Sequence, residues 1–228
     1  SSDLCGINVS MRVVACWLLV LLCAACGQAG APSKTSVTTI RPADPAGIDR
    51  VRSRLPAAYE IAALPKPPMP VTFWGFAPGW TADPAECGGL VAVADGATAR
   101  GWSASGPGGI VYALVVPGVL PARELMDGCG NWSLVGGRAS ASVAVHDGPS
   151  VPDTTTLAIT ADVATRVENG TETRSRATTL VAYVDTLAIS VTVVTDPGAA
   201  GQPLPEQLPQ QLLGAAVRAI RGVDTGNR

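Results

Sequence analysis

The feature that most restricts the fold of this chain is a succession of strand and turn signals over residues 154–195. Asn169-Gly170, the strongest short signal for a hairpin turn, interrupts this region, and Asp185-Thr186 separates its last two apolar segments. Before the first turn, every second position is apolar, as in a strand that buries one face: these positions are Leu157, Ile159, Ala161 and Val163. We therefore predict an antiparallel meander of three strands.

Helices are predicted at both ends of the folded domain. Asp44, followed by a proline, has the chemistry of a helix N-cap and first turn, and apolar residues recur behind it at helical spacing. A second helical stripe covers residues 208–220, and Gly222 suits the position that ends it. An antiparallel sheet with a C-terminal meander, flanked by N- and C-terminal helices, is an α+β fold. We place this single domain at residues 44–222 and a tail at 223–228.

Shorter signals fill the middle of the domain. We predict further strands at residues 59–64, 102–105, 110–116 and 139–145. Two short helices are also predicted, one opened by Asp83-Pro84 and carrying Cys87, the other over residues 121–126. Three arginines are expected to form the solvated surface of the first helix: Arg50, Arg52 and Arg54.

The first 25 residues predict a signal peptide with an extension. Met11-Arg12 supplies a start and a positive charge, and an unbroken small or apolar run follows at residues 13–25. In a helix this run would span about 20 Å, well short of the roughly 30 Å hydrocarbon core of a bilayer. It therefore has the length of a signal-peptide core and not of a membrane span. Residues 1–10 do not suit a signal peptide, and we interpret them as non-native or mis-assigned.

The end of this run resembles a bacterial lipobox. The segment LCAACG (22–27) places small residues before a cysteine and a glycine after it, although Cys23 stands where leucine is usual. The resemblance implies that Cys26 is lipid-modified and anchors the protein at the outer face of the cytoplasmic membrane, in the cell envelope. Residues 26–43, rich in Gly, Ala, Ser, Thr and Pro, would then be a flexible tether. The alternative is an ordinary secretory signal, cut after Ala29 or after Ala31.

Export also bears on the cysteines. Three of the six lie in the segment that is expected to be removed, and a fourth is Cys26. The remaining two, Cys87 and Cys129, are expected to form a disulfide, because two cysteines in an exported domain pair by default. The alternative is a pair of free buried thiols.

Composition excludes several classes of function. Lysine and arginine total 16 against 18 aspartate and glutamate, a net charge of −2, so the chain lacks the basic excess of a nucleic-acid-binding domain. A single histidine, His146, removes most zinc sites and most histidine-dependent catalysis. The sequence contains no phosphate-binding loop and no dinucleotide fingerprint. We predict no metal, no cofactor and no nucleic-acid partner.

Aromatic residues carry the most functional weight in this sequence. Phe73, Trp74, Phe76 and Trp80 stand within eight residues, and Trp102 follows later in the chain. Trp74, Trp80 and Trp102 could line an apolar cleft for a small ligand. The alternative is that they are the large side chains of the core.

A catalytic alternative uses Ser103 or Ser105. Residues 101–106 approach the nucleophile elbow G-x-S-x-G, but the second glycine stands one residue late. Paired with His146, either serine would make a hydrolase acting on envelope lipid or cell wall. The leading hypothesis is instead a non-enzymatic lipoprotein that binds a small apolar ligand or a partner protein of the envelope. A purely structural interaction module is the third possibility.

Four stretches resemble a family of uncharacterised mycobacterial lipoproteins that share a domain of unknown function: IDRVR (48–52), WGFAPGW (74–80), GWSASGPGG (101–109) and GTET (170–173). The resemblance covers about residues 44–222 and brings no catalytic residue with it. More distantly, the layout is similar to the extracellular sensor domain of mycobacterial PknH-type kinases. That similarity implies a sheet with flanking helices and a ligand cleft, although this chain has one expected domain disulfide where that type has two.

Overall fold

The computed structural model describes residues 42–64, 70–93, 97–195 and 204–223. The predicted signal peptide, the lipidation site Cys26 and the tether up to residue 41 lie outside the described residues. All of the fold that follows belongs to the unit that begins at Arg41.

In these described ranges, nine antiparallel strands form one sheet. In chain order they are β1 (Glu60–Ala63), β2 (Thr81–Asp83), β3 (Arg100–Gly106), β4 (Gly109–Pro117), β5 (Asn131–Gly136), β6 (Ala139–Asp147), β7 (Thr155–Arg166), β8 (Glu172–Val184) and β9 (Leu187–Thr195). Their order across the sheet is β1-β3-β4-β9-β8-β7-β6-β5-β2. The predicted meander is confirmed as β7, β8 and β9, which pair in succession.

Helices stand at both ends of the domain, as the sequence predicts. A 3₁₀ helix at Pro45–Arg54, called here the N-terminal 3₁₀ helix, precedes the sheet, and a 14-residue α-helix at Leu208–Arg221 follows it. The remaining helical elements are short: α1 (Pro70–Phe73), a 3₁₀ helix at Ala85–Leu90, α2 (Arg123–Gly128) and a 3₁₀ turn at Glu168–Gly170. The C-terminal helix is therefore α3. The molecule is mostly sheet, with less helix than an α+β description suggests.

The sequence patterns do not predict two of the strands, β2 and β5, or the short helix α1. β2 has only three residues and β5 six, and both carry too few alternations to show a period of two. The four residues of α1 directly follow a proline-rich connector and make barely one helical turn. These elements are short, and each gains its stability from packing on longer neighbours.

Each face of the sheet buries its own apolar core. The N-terminal 3₁₀ helix and α3 cover one face, which we call the α3 face. The chain around α1 and the Ala85–Leu90 helix covers the other, which we call the disulfide face because both domain cysteines lie there. β4 shows the alternation directly, since Ala113 packs in the first core and Leu114 in the second.

The N-terminal 3₁₀ helix lies directly on the end of α3. Asp44 caps the 3₁₀ helix by accepting a hydrogen bond from the Ala46 backbone at 2.9 Å, and its own N–H donates to the Ile220 carbonyl at 2.8 Å. At Gly47, a Cβ would stand 2.5 Å from the Ala219 carbonyl oxygen, so only glycine allows the two backbones to approach this closely. Gly222 ends α3 in the left-handed conformation (φ 71°), as predicted.

Candidate functional site

Two of the three candidate tryptophans lie on opposite faces of the sheet. Trp102 is fully buried on the α3 face, where its indole N–H donates to the Ile48 carbonyl at 2.9 Å. Trp74 is 2% exposed on the disulfide face, where its indole N–H donates to the Thr179 hydroxyl at 3.1 Å. The sheet separates the two rings, so they do not line a common cleft. We assign both to the core.

Trp80 has a different environment. It is half-buried and packs against two glycines of the disulfide face. A Cβ at Gly88 would stand 3.1 Å from its ring, and a Cβ at Gly136 would stand 2.9 Å from its own Cβ. It therefore closes the edge of the second core, on the opposite side of the sheet from Trp102.

The structure does not bring the candidate serines and His146 together. Ser103 and Ser105 alternate with Trp102 on β3 and face the disulfide side, whereas His146 pairs with Ala158 on the α3 face. β3 and β6 are five strand spacings apart, which is roughly 24 Å at 4.8 Å per spacing. This arrangement forms no serine–histidine pair from these residues.

The expected disulfide is present. Cys87 and Cys129 are bonded, with their Cα atoms 5.5 Å apart, and both are buried. The bond joins the Ala85–Leu90 helix to the residue that follows α2. It thus ties two short elements together on the face that has no long helix.

The candidate site that the structure reveals is a groove between the N-terminal 3₁₀ helix and α3. Arg50, Arg54 and Arg218 lie along it, and we call it the arginine groove. Two adjoining open cavities of about 650 and 150 Å³ make up the groove, and both are lined by Arg54 and Arg218. Among the residues that the structure describes, no carboxylate side chain lines either cavity.

The arginines of this groove differ from most others in the domain. Asp49 holds Arg52 at 2.6 Å and Arg100 at 2.5 Å, so those two cations are paired. Within the described ranges, by contrast, neither Arg54 nor Arg218 is part of an ion pair. Their charges are therefore available to an anion from outside.

Other contacts hold the groove in shape. Arg50 donates to the Ala219 carbonyl and so fixes the 3₁₀ helix to α3. Arg221 donates to the carbonyls of Pro152 at 2.9 Å and Asp153 at 2.5 Å, which fixes the loop that forms the far wall. Arg218 lies across α3, with one guanidinium nitrogen 3.5 Å from where a Cβ of Gly214 would stand. Hydrogen bonds of Arg50 and Arg221 thus hold the walls of the groove in place, and the side chains of Arg54 and Arg218 can turn toward a ligand.

The other large cavities contain acids. A cavity of about 690 Å³ on the uncovered part of the α3 face includes Asp162 and Arg176, which are bonded at 2.6 Å. That hydrogen bond, and after it the Coulombic attraction of Asp162, raises the pKa of Arg176. A cavity of about 840 Å³ beside His146 contains Asp127 and Asp147. Neither of these cavities has the uncompensated positive charge of the arginine groove.

Sequence reasoning found only half of this site. It placed Arg50 and Arg54 on the surface of the first helix, but gave no weight to Arg218. The two helices are about 160 residues apart in the chain, and no local pattern indicates that they pack together. Gly47 was the one local sign that another backbone packs closely against the first helix, although a glycine inside a helical stripe has many explanations.

Comparison with known proteins supports the resemblance that the sequence suggested. A family model described as Domain of unknown function (DUF5642) matches residues 44–221. An X-ray structure of an uncharacterised Mycobacterium smegmatis protein, the Rv0999 ortholog, is similar at 18% identity and a TM-score of 0.57, covering 80% of this chain and 99% of that chain. The extracellular domain of PknH from Mycobacterium tuberculosis is similar at 13% identity and a TM-score of 0.42, covering 79% and 93%.

No curated protein matches the chain. Among the described residues, no helix has the length and apolarity of a membrane-spanning segment. In the same part of the chain, no three His, Cys, Asp or Glu side chains are grouped as metal ligands would be.

Proposed function

Because the chain belongs to the family described as Domain of unknown function (DUF5642), we propose its function from the geometry of the domain. The protein is a non-enzymatic lipoprotein of the cell envelope, tethered to the outer face of the cytoplasmic membrane through Cys26. Its domain is a recognition module that binds an anionic ligand in the arginine groove.

The observation that supports this proposal is that Arg54 and Arg218, which line a cavity of about 650 Å³, have no ion-pair partner in the part of the chain that the structure describes. A guanidinium group donates two parallel hydrogen bonds to a carboxylate or phosphate, and such charge-assisted bonds are the strong ones. The cavity has the size of a small-molecule site. An anion that fits between the two arginines would be attracted from both helices, and no carboxylate in the described part of the chain lines the cavities to repel it.

Burial argues for binding at a surface groove over binding in an aromatic cleft. The rings of Trp74 and Trp102 are occupied by core packing and by hydrogen bonds to Thr179 and Ile48. An apolar ligand would have to displace one of these contacts. The arginine groove is open, and a ligand can enter it without unpacking either core.

The anchor is tested by replacing Cys26 with alanine. We expect Cys26→Ala to move the protein from the membrane fraction to the soluble fraction after a high-salt wash, because the thiol is the proposed site of acylation. The intact mass of Cys26→Ala should lack the contribution of the lipid group. The matched control is Cys23→Ala, which removes the neighbouring thiol and should leave the protein anchored. Unchanged membrane association and unchanged mass in Cys26→Ala would contradict the proposal.

Anion binding is tested on the chain from residue 27 to 228, titrated calorimetrically with pyrophosphate and with citrate. We expect saturable binding of at least one probe, and a loss of at least tenfold in affinity in the double variant Arg54→Gln/Arg218→Gln, because two charge-assisted contacts are removed. Rising salt should weaken binding by the wild-type chain.

The matched control for this titration is Arg138→Gln/Arg166→Gln. These two arginines also form no ion pair in the described part of the chain, and their shared cavity of about 260 Å³ is lined by Glu172 as well. The control removes the same charge from another surface and should bind as the wild type does. Equal loss in both double variants, or no binding of either probe, would refute an anion site in the groove.

A further inference from the structure

We propose that the anion recognised by the arginine groove is the phosphate of an anionic phospholipid headgroup. The domain then rests with the arginine groove against the membrane that carries its anchor. This inference depends on the proposed function, because it names the ligand class of the same groove. It commits the groove to lipid phosphate; free phosphate compounds are an outcome of the test.

The first argument is the position of the groove relative to the point where the tether enters the domain. The backbone N–H of Asp44 donates to the Ile220 carbonyl at 2.8 Å. Ile220 lies in the last turn of α3, between Arg218 and Arg221. The chain therefore enters the folded domain beside the smaller of the two cavities, which Ala219 and Val223 line. The larger cavity begins at Arg54, about 20 Å further along the N-terminal 3₁₀ helix at roughly 2 Å per residue.

The second argument is the length of chain outside the described residues. Cys26 and Asp44 are 18 positions apart, which limits the separation of lipid and domain to about 60 Å. A domain held within this distance meets the bilayer surface at a high effective concentration. Even weak headgroup contacts are then sufficient to orient it, and the contacts nearest the attachment point are the easiest to reach.

The third argument is the distribution of charge. The chain has a net charge of −2, yet the N-terminal 3₁₀ helix and α3, the pair of helices at which the tether enters, present Arg50, Arg54, Arg218 and Arg221. The nearby Asp49 is already held by two other arginines. An anionic membrane therefore attracts this end of the domain and repels the acidic remainder, which favours one orientation.

The chemistry of the groove suits a phosphodiester. Such a group carries one negative charge shared by two non-bridging oxygens, which can accept the paired hydrogen bonds of a guanidinium group, and Arg54 and Arg218 line the same cavity from two different helices. The amides of Gln210 and Gln211 line that cavity and add donors for the remaining headgroup oxygens. The groove is open, so a headgroup that stays attached to its bilayer can still enter it.

Co-sedimentation with large unilamellar vesicles tests the inference. The chain from residue 27 to 228, which lacks the acylated cysteine, is mixed with vesicles of pure phosphatidylcholine or of phosphatidylcholine with 30% phosphatidylglycerol. We expect binding to the anionic vesicles only. Arg54→Gln/Arg218→Gln should lower the partition coefficient about 25-fold, since each arginine near an anionic surface contributes about fivefold. Arg138→Gln/Arg166→Gln should bind as the wild type does, and circular dichroism verifies that all variants are folded.

The outcomes separate this inference from the function on which it depends. If the chain binds pyrophosphate in the groove but shows no preference for anionic vesicles, the ligand is a free phosphate compound and the lipid inference fails while the anion site stands. If both double variants lose vesicle binding equally, the attraction is a general charge effect and the inference also fails. If neither pyrophosphate, citrate nor anionic vesicles bind, the inference and the proposed function fail together.

Discussion

Replacing Trp102 with alanine is expected to lower the free energy of unfolding by about 3–5 kcal/mol. The ring is fully buried among β3, β4, the N-terminal 3₁₀ helix and α3, and its N–H is hydrogen-bonded to the Ile48 carbonyl. Removing the ring leaves a cavity in the core and a buried carbonyl without its partner. Urea denaturation followed by circular dichroism measures the change.

Two control variants separate the causes. Trp102→Phe keeps most of the volume but loses the N–H, and should cost about 1–3 kcal/mol. Val119→Ala shortens a side chain that is 75% exposed and should leave the stability within about 0.5 kcal/mol of the wild type. If Trp102→Ala were as stable as the wild type, the assignment of this residue to the core would be wrong.

Removing the disulfide should have a comparably large effect. The double variant Cys87→Ala/Cys129→Ala is expected to lose about 4 kcal/mol, because the bond closes a segment of 42 residues and restricts the unfolded chain. Reductant should destabilise the wild type by a similar amount and leave the double variant unchanged. Urea midpoints measured with and without dithiothreitol supply the comparison.

Peptide mapping provides the control for this experiment. Under non-reducing conditions the peptides that contain Cys87 and Cys129 should be recovered as one linked species. Alkylation of both thiols without reductant would show that the bond is absent in solution. A wild-type midpoint that does not respond to reductant would show that the bond does not stabilise the fold.

Local patterns predicted the parts of the fold whose partners are close in sequence. β7, β8 and β9 follow one another through short turns, so period-two alternation and the Asn169-Gly170 signal were enough to identify the meander. Helix ends were visible for the same reason, since Asp44 and Gly222 act on their own backbones. The pairing of β4 with β9 in the middle of the sheet joins distant segments, and no local signal indicates it.

The candidate site was harder to predict because it depends on contacts between distant segments. Whether Trp102 and Trp74 are core or cleft depends on what covers them, and composition does not encode this. The arginine groove depends on the close approach of Gly47 to Ala219, which brings Arg54 beside Arg218. The arginines of the first helix can be recognised in the sequence, but the packing of α3 against that helix cannot.

The hydrogen bond between Asp44 and Ile220 also holds the first and last helices of the domain close together at their outer ends. Its polypeptide enters and leaves at neighbouring points, and such domains can be spliced into a host chain with little disturbance to either fold. The same domain could therefore be attached through this pair of chain ends to a lipid, to a membrane helix or to a loop of another protein. A fluorescent reporter fused after Val223, which lines the smaller cavity, would obstruct the groove. One inserted at the turn between β7 and β8 would lie at the opposite end of β7 from the loop that Arg221 holds.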